Sequence, residues 1–122
     1  MGGLSLAFIG DAVYELLIRK YILSRSDARV QELHRETVRM VNASFQAEAM
    51  TCLLPQLSEE EEAIYKRGRN ANSAHTPKNK SEAEYHKATG FEALFGFLYL
   101  SGRYERISEL FDMIVSRSDD NE

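Results

Sequence analysis

This 122-residue chain has a single cysteine, only two prolines and no long apolar run. One cysteine, Cys52, rules out an internal disulfide. Set in "AMTCLL" among apolar neighbours, it reads as a buried, reduced thiol, with no nearby group to lower its pKa and make it a nucleophile. The longest apolar stretches fall short of the roughly 18 residues of a membrane span, and no charged leader followed by an apolar segment opens the chain. A soluble, cytoplasmic protein is expected. Excess positive charge is also missing: the formal balance is −4, so any basic surface must be local. There is no Gly-rich phosphate loop, no paired-histidine zinc helix and no Cys/His zinc spacing. His34, His75 and His86 are scattered, which leaves a Ser or Cys triad without a base.

Few prolines, seven glycines and no strict apolar/polar alternation leave an all-α reading, with 43% hydrophobic residues to build one core. The first helix is expected from Ser5 to about Ser24. Asp27 reads as the cap of a second, whose Val30, Leu33, Thr37, Met40 and Val41 recur at helical spacing. Asn42 marks a break before a third helix ending near Pro55. Ser58 with Glu61, and Ser81 with Glu84, have the spacing of capping boxes, and Glu59 to Glu62 suit a helix N-terminus better than a metal site. A last amphipathic helix follows Gly102. The whole chain, 1–122, reads as one domain.

Two carboxylates break this pattern. Phe8, Ile9, Ala12, Val13, Leu16 and Leu17 surround Asp11, and a helix apolar all round is ordinarily interior. In "FEALFGFLYL", Glu92 is the one charged residue. A buried carboxylate is costly unless paired, protonated or bound to a cation, and two facing each other repel unless something positive lies between them. A Mg²⁺ ion held by one or two carboxylates plus phosphate oxygens meets that need; so does pairing with arginine or lysine from elsewhere in the fold. Gly10 and Gly96 remove side chains where two helices could approach closely. Glu15, one turn from Asp11, reads as the partner of Arg19.

Residues 66 to 80, "KRGRNANSAHTPKNK", hold Lys66, Arg67, Arg69, Lys78 and Lys80 without one acid, a local +5 that leaves −9 for the rest. With Gly68 and Pro77 the segment reads as the end of the helix begun at Ser58 plus an exposed loop, which is either simply solvated or a grip on a nucleic-acid backbone, with Asn70, Asn72, Ser73 and Thr76 as added donors. It leads directly into the helix bearing Glu92.

"LAFIGDAVYELLIRKYIL" resembles the signature helix of the ribonuclease III family, and "ATGFEALFGFLYL" resembles its second motif, in the same order. The absence of sequence for a following double-stranded-RNA-binding domain, together with "YKRGRNANS", makes the chain similar to the short bacterial "mini" branch. The resemblance implies an all-α, homodimeric nuclease domain in which Asp11 and Glu92 are catalytic and bind Mg²⁺, with Mn²⁺ as substitute. It places Phe8 across the dimer interface and Lys66, Arg67, Arg69, Asn70 and Lys78 on the RNA. The implied reaction is hydrolysis of double-stranded RNA to 5′-phosphate ends, in the maturation of large-subunit precursor ribosomal RNA, with possible assistance from a ribosomal protein and no membrane. The family also carries a glutamate where this chain has Ala7 and an aspartate where it has Thr89. A non-catalytic duplex-RNA-binding dimer is the alternative. A helical protein-interaction adaptor is a third reading, one without salt-sensitive affinity for RNA.

Overall fold

The computed structural model describes residues 1–71 and 81–120, all of whose regular elements are helical: α1 (Gly3–Arg25), α2 (Val30–Val41), α3 (Ala43–Leu53), a 3₁₀ turn (Leu54–Gln56), α4 (Glu59–Arg69), α5 (Glu82–Leu100) and α6 (Tyr104–Asp120). The all-α expectation holds. Helix α5 lies at the centre, packed against α1, α3, α4 and α6. Its Phe91, Ala93, Leu94, Phe95 and Leu98 are wholly buried. A segment covered by neighbours around most of its circumference must be apolar around most of it, so the middle of α5 shows little amphipathic stripe. Tyr14 of α1 enters this core edge-on to Phe91 and Phe95, at centroid distances of 4.9 and 5.7 Å, and its hydroxyl donates to the Met40 carbonyl at 2.8 Å.

Asn42 separates α2 from α3 as expected, and does so from both sides. Its Nδ2 donates to the Val38 and Arg39 carbonyls at the end of α2, while its Oδ1 accepts from the Phe45 N–H at 2.9 Å. The Ser58–Glu61 capping box also forms, with Glu61 N–H to Ser58 Oγ at 3.1 Å and Ser58 N–H to Glu61 Oε1 at 2.9 Å.

Several expectations fail, each for a local reason. α2 starts at Val30 rather than after Asp27. Ser26 is extended, and its hydroxyl takes the Ala28 N–H at 3.1 Å, a side-chain bond that competes with helix entry. Ser81 precedes α5 with φ −91° and ψ 3°, outside the extended region from which a serine reaches the third residue on, and its side chain makes no capping bond. Cys52 is exposed rather than buried: the core-facing stripe of α3 runs through Gln46, Ala49, Met50 and Leu53, and Cys52 falls off it. Asp11 is exposed as well. α1 buries Leu6, Ala7, Gly10, Tyr14, Ile18 and Ile22 against its neighbours and turns Leu4, Phe8, Leu16 and Leu23 outward, so its all-round apolarity does not make it interior to this chain.

Glu61 has a second duty. Only 4% exposed, it receives Arg106 of α6 through two bonds, Nε to Oε2 at 2.8 Å and Nη2 to Oε1 at 2.9 Å, and Arg106 also donates to the Gln56 carbonyl at 2.7 Å. The Arg106 guanidinium holds the Glu61 carboxyl below its usual range, against the opposing effect of burial. Arg106→Met strands that buried charge and is expected to destabilise the protein by about 3 kcal/mol, measured as a drop in the urea midpoint at constant slope. A group with a lowered folded pKa stabilises above its unfolded pKa and loses that contribution as pH falls through the folded one. The gap between variant and wild type is therefore expected to narrow below pH 4.5. An equal gap at pH 7 and pH 3 would contradict the assignment.

Candidate active site

The place where α1 crosses α5 is set by glycine. A Cβ built on Gly10 would lie 1.7 Å from the Glu92 carbonyl oxygen, and one on Gly96 would lie 2.0 Å from that of Leu6. The two backbones therefore touch, as the glycines suggested, and the next residue after Gly10 is Asp11. Its side chain meets that of Glu92 from the neighbouring helix, and the two carboxyl groups interact directly. Burial above all, and then this neighbour, push the Glu92 carboxyl up to about 8 from the 4.5 of an ordinary glutamate. Gln46 of α3, itself buried, donates from Nε2 to Glu92 Oε2 at 3.4 Å and acts in the opposite direction.

Among the described residues neither Asp11 nor Glu92 takes part in an ion pair with arginine, lysine or histidine. Compensation by a basic residue, left open by the sequence, is thus not seen there. Glu15 is excluded from the pair, because Arg19 Nε donates to it at 2.9 Å along α1. The same residues contain no cluster of three or more His, Cys, Asp or Glu side chains able to enclose a metal. A pair of facing, uncompensated carboxylates of which one resists ionisation fits a hard divalent cation that keeps waters and takes its remaining ligands from a substrate phosphate. It does not fit a closed protein cage.

The two positions at which the family carries further acids are otherwise employed. Ala7 is buried in a small apolar cluster with Leu6, Ile64 and Ala93. The Thr89 hydroxyl donates to the Tyr85 carbonyl at 3.0 Å, within its own helix.

The expected helix end forms: among the described residues of the basic segment, Lys66, Arg67 and Arg69 lie in the last turn of α4 and Asn70 follows as its cap. Gly68 seats the last turn of α4 on α5, where an added Cβ would come within 2.6 Å of Ala93 Cβ and 2.9 Å of Gly90 Cα. Lys66, Arg67, Arg69 and Asn70 thereby sit beside the α5 turn preceding Glu92. Each has a partner within the chain: Lys66 pairs with Glu62 at 3.6 Å, Arg67 donates to the Met1 carbonyl, and Arg69 lies over the Tyr65 ring and donates to Asn70 Oδ1 at 3.1 Å. Lys78 lies outside the described residues. The residue that sequence reasoning missed is Gln46, although its place at the head of the stripe with Ala49, Met50 and Leu53 was a signal: a polar side chain at a core-facing position.

Phe8 projects from α1 with 83% of its surface exposed. The same helix also lines an apolar groove of about 320 Å³, through residues including Ile9, Val13, Leu16 and Leu17, with Tyr99 and Tyr104 from α5 and α6. Among the described residues no helix is long and apolar enough to cross a membrane.

The Ribonuclease III domain family matches residues 4–103. The Mini-ribonuclease 3 of Symbiobacterium thermophilum is 48% identical over 107 residues, 88% of this chain and 82% of that protein. That of Enterococcus faecalis is 43% identical over 119 residues, 96% of this chain and 90% of that protein. The crystal structure of a Fusobacterium nucleatum protein superposes with a TM-score of 0.87 at 33% identity, covering 97% of this chain and 94% of that one. With half-buried Glu92 facing Asp11 at a glycine crossing and relatives of this closeness along nearly its full length, the chain belongs to the ribonuclease III family of endoribonucleases.

Proposed function

We propose that this endoribonuclease hydrolyses double-stranded RNA as a Mg²⁺-dependent homodimer, with Mn²⁺ able to substitute, and that it acts in the cytoplasm on the large-subunit ribosomal RNA precursor. The observation that carries the reading is the Asp11–Glu92 pair, two carboxylates brought together by a backbone contact and left without a basic partner among the described residues. They would hold the cation. When bound, it supplies charge neutralisation at the scissile phosphate and an activated water. The chain's own part is to present the two carboxylates from rigid helices, with Asp11 open to solvent and Glu92 half sheltered, so that a phosphate can approach from one side. Lys66, Arg67, Arg69 and Asn70, clustered at the end of α4, are suited to hold the duplex backbone, exchanging intramolecular partners for phosphates; Lys78 is proposed to join them. Duplex RNA presents little base information in its accessible minor groove, so the duplex is read by shape, and a ribosomal protein would help select the site.

The homodimer reading rests on the outward side of α1. A large exposed apolar surface marks an association site, and exposed Phe8 together with an apolar groove lined by the same helix gives a knob and a hole on one molecule, the self-complementarity a two-fold interface requires. Phe8→Glu is expected to shift the protein from dimer to monomer in sedimentation velocity and to reduce cleavage by at least tenfold. A monomeric wild type would sink this part of the reading.

The replacement of two family acids by Ala7 and Thr89 favours one other reading, a duplex-binding dimer without catalysis. Incubating a long RNA duplex with the protein, in Mg²⁺ or in excess chelator, separates the two. Metal-dependent cutting of duplex and not of single strand supports the enzyme. Tight, salt-sensitive binding without cutting supports the clamp, and no affinity for RNA at low salt sinks both.

A further inference from the structure

The buried stripe of α3 contains one residue that packing does not explain. Ala49, Met50 and Leu53 are wholly buried and apolar, while Gln46, 2% exposed, heads the same stripe. Burying an amide costs more than burying a leucine of similar volume unless its hydrogen bonds are made. Among the described residues, the side chain of Gln46 makes one hydrogen bond, from Nε2 to Oε2 of Glu92 at 3.4 Å. That is long for such a bond, and it reaches the one carboxylate of the pair that is half sheltered from water. Helices α3 and α5 are in register around it: Gln46 stands opposite Glu92 and Thr51 opposite Lys87, whose amine donates to the Thr51 hydroxyl. Among the described residues, no side chain outside the acid pair other than Gln46 is hydrogen-bonded to the Glu92 carboxyl. Ala7 offers no polar atom, and the Thr89 hydroxyl donates to its own helix.

We propose that Gln46 is a positioning residue for the metal-binding carboxylate, holding Oε2 of Glu92 from α3 so that the group is presented beside Asp11 to a divalent cation. The inference rests on the reading of Asp11 and Glu92 as ligands. An amide can donate a hydrogen bond and carries no charge. It therefore steadies the carboxylate without adding to the repulsion between the two acids, as a third carboxylate would. Partners one step behind a metal ligand contribute 10- to 100-fold to metal affinity.

The test is titration of the full chain with Mn²⁺ alone, following the signal of the free ion by electron paramagnetic resonance, for wild type, Gln46→Leu, Gln46→Glu and Glu92→Gln. Gln46→Leu is expected to melt at or above the wild-type temperature and to bind Mn²⁺ about tenfold more weakly. It should also lower kcat with little change in KM for duplex RNA, a separation that a purely structural glutamine would not produce. Gln46→Glu, which keeps the shape and loses the donor, is weakened too. If Gln46→Leu fails to fold, Gln46→Met serves for the same comparison. Unchanged Mn²⁺ affinity in the folded variant overturns the proposal. Tighter binding by Gln46→Glu overturns it as well, by making position 46 a ligand place. A wild type that binds no Mn²⁺, or a Glu92→Gln protein that binds it equally, fails the ligand assignment itself and this inference with it.

Discussion

Asp11→Asn is expected to leave duplex binding within about twofold of wild type and to slow cleavage on the order of a thousandfold, the scale on which removing one preorganised electrostatic group from a transition state acts. The substitution preserves shape, and Asp11 is exposed on α1, so stability should stay within about 0.5 kcal/mol. Its effect on Glu92 gives a readout independent of turnover. Part of what holds the Glu92 carboxyl up at about 8 is the neighbouring Asp11, so the variant should lower it toward the ordinary glutamate range, leaving the larger contribution of burial in place. Carbon-detected NMR of the Glu92 carboxyl reads this directly. An unchanged titration would mean that the two groups do not meet.

The same protonation predicts how metal binding depends on pH. Glu92 is raised in the folded, metal-free protein, so its contribution to stability is complete below the ordinary value of 4.5 and is lost as pH rises through about 8. A cation must displace that proton. The rise in melting temperature on adding Mg²⁺ should accordingly grow between pH 6 and 8 and level off above, and Glu92→Gln should abolish it. A shift independent of pH would place the ion elsewhere.

Much of this arrangement was legible in the sequence where a residue type has one structural use. Asn42 can end one helix and start the next, Ser58 and Glu61 can satisfy each other's N–H groups, and Gly10 and Gly96 admit a neighbouring backbone. Less was legible where a pattern has two causes. The apolarity of α5 and that of α1 look alike in the sequence, yet the middle of α5, Phe91 to Leu98, is covered largely by its own chain while α1 turns Phe8 and Leu16 to solvent. Asp11 was therefore read as buried when it is exposed. The start of the basic run reads as a helix end and is one, and the structure adds the reason: Gly68 seats α4 on α5 and keeps Lys66, Arg67 and Arg69 helical. Gln46 escaped notice because no motif contains it; only the geometry gives it a carboxylate to face.

Gly10→Ala is expected to be the most damaging single change of stability in the protein. The added methyl would fall 1.7 Å from the Glu92 carbonyl oxygen and 2.6 Å from its carbon. Both are backbone atoms at the middle of two long helices, so no rotamer change can relieve the contact, and α1 and α5 must separate by more than an ångström against a close-packed core. Overpacking of side chains costs about 1–3 kcal/mol, and a backbone clash at the central crossing should exceed that range, taking a large share of the ordinary stability of a small domain. Any folded remainder should also lose metal binding, because the separation moves the Glu92 peptide away from Asp11. Gly2→Ala, with nothing within 4 Å of the added methyl, is the control and should change the urea midpoint by less than about 0.5 kcal/mol equivalent. If Gly10→Ala instead melts like the control, the helices do not touch at this point, and the pairing of Asp11 with Glu92, which depends on that contact, falls with it.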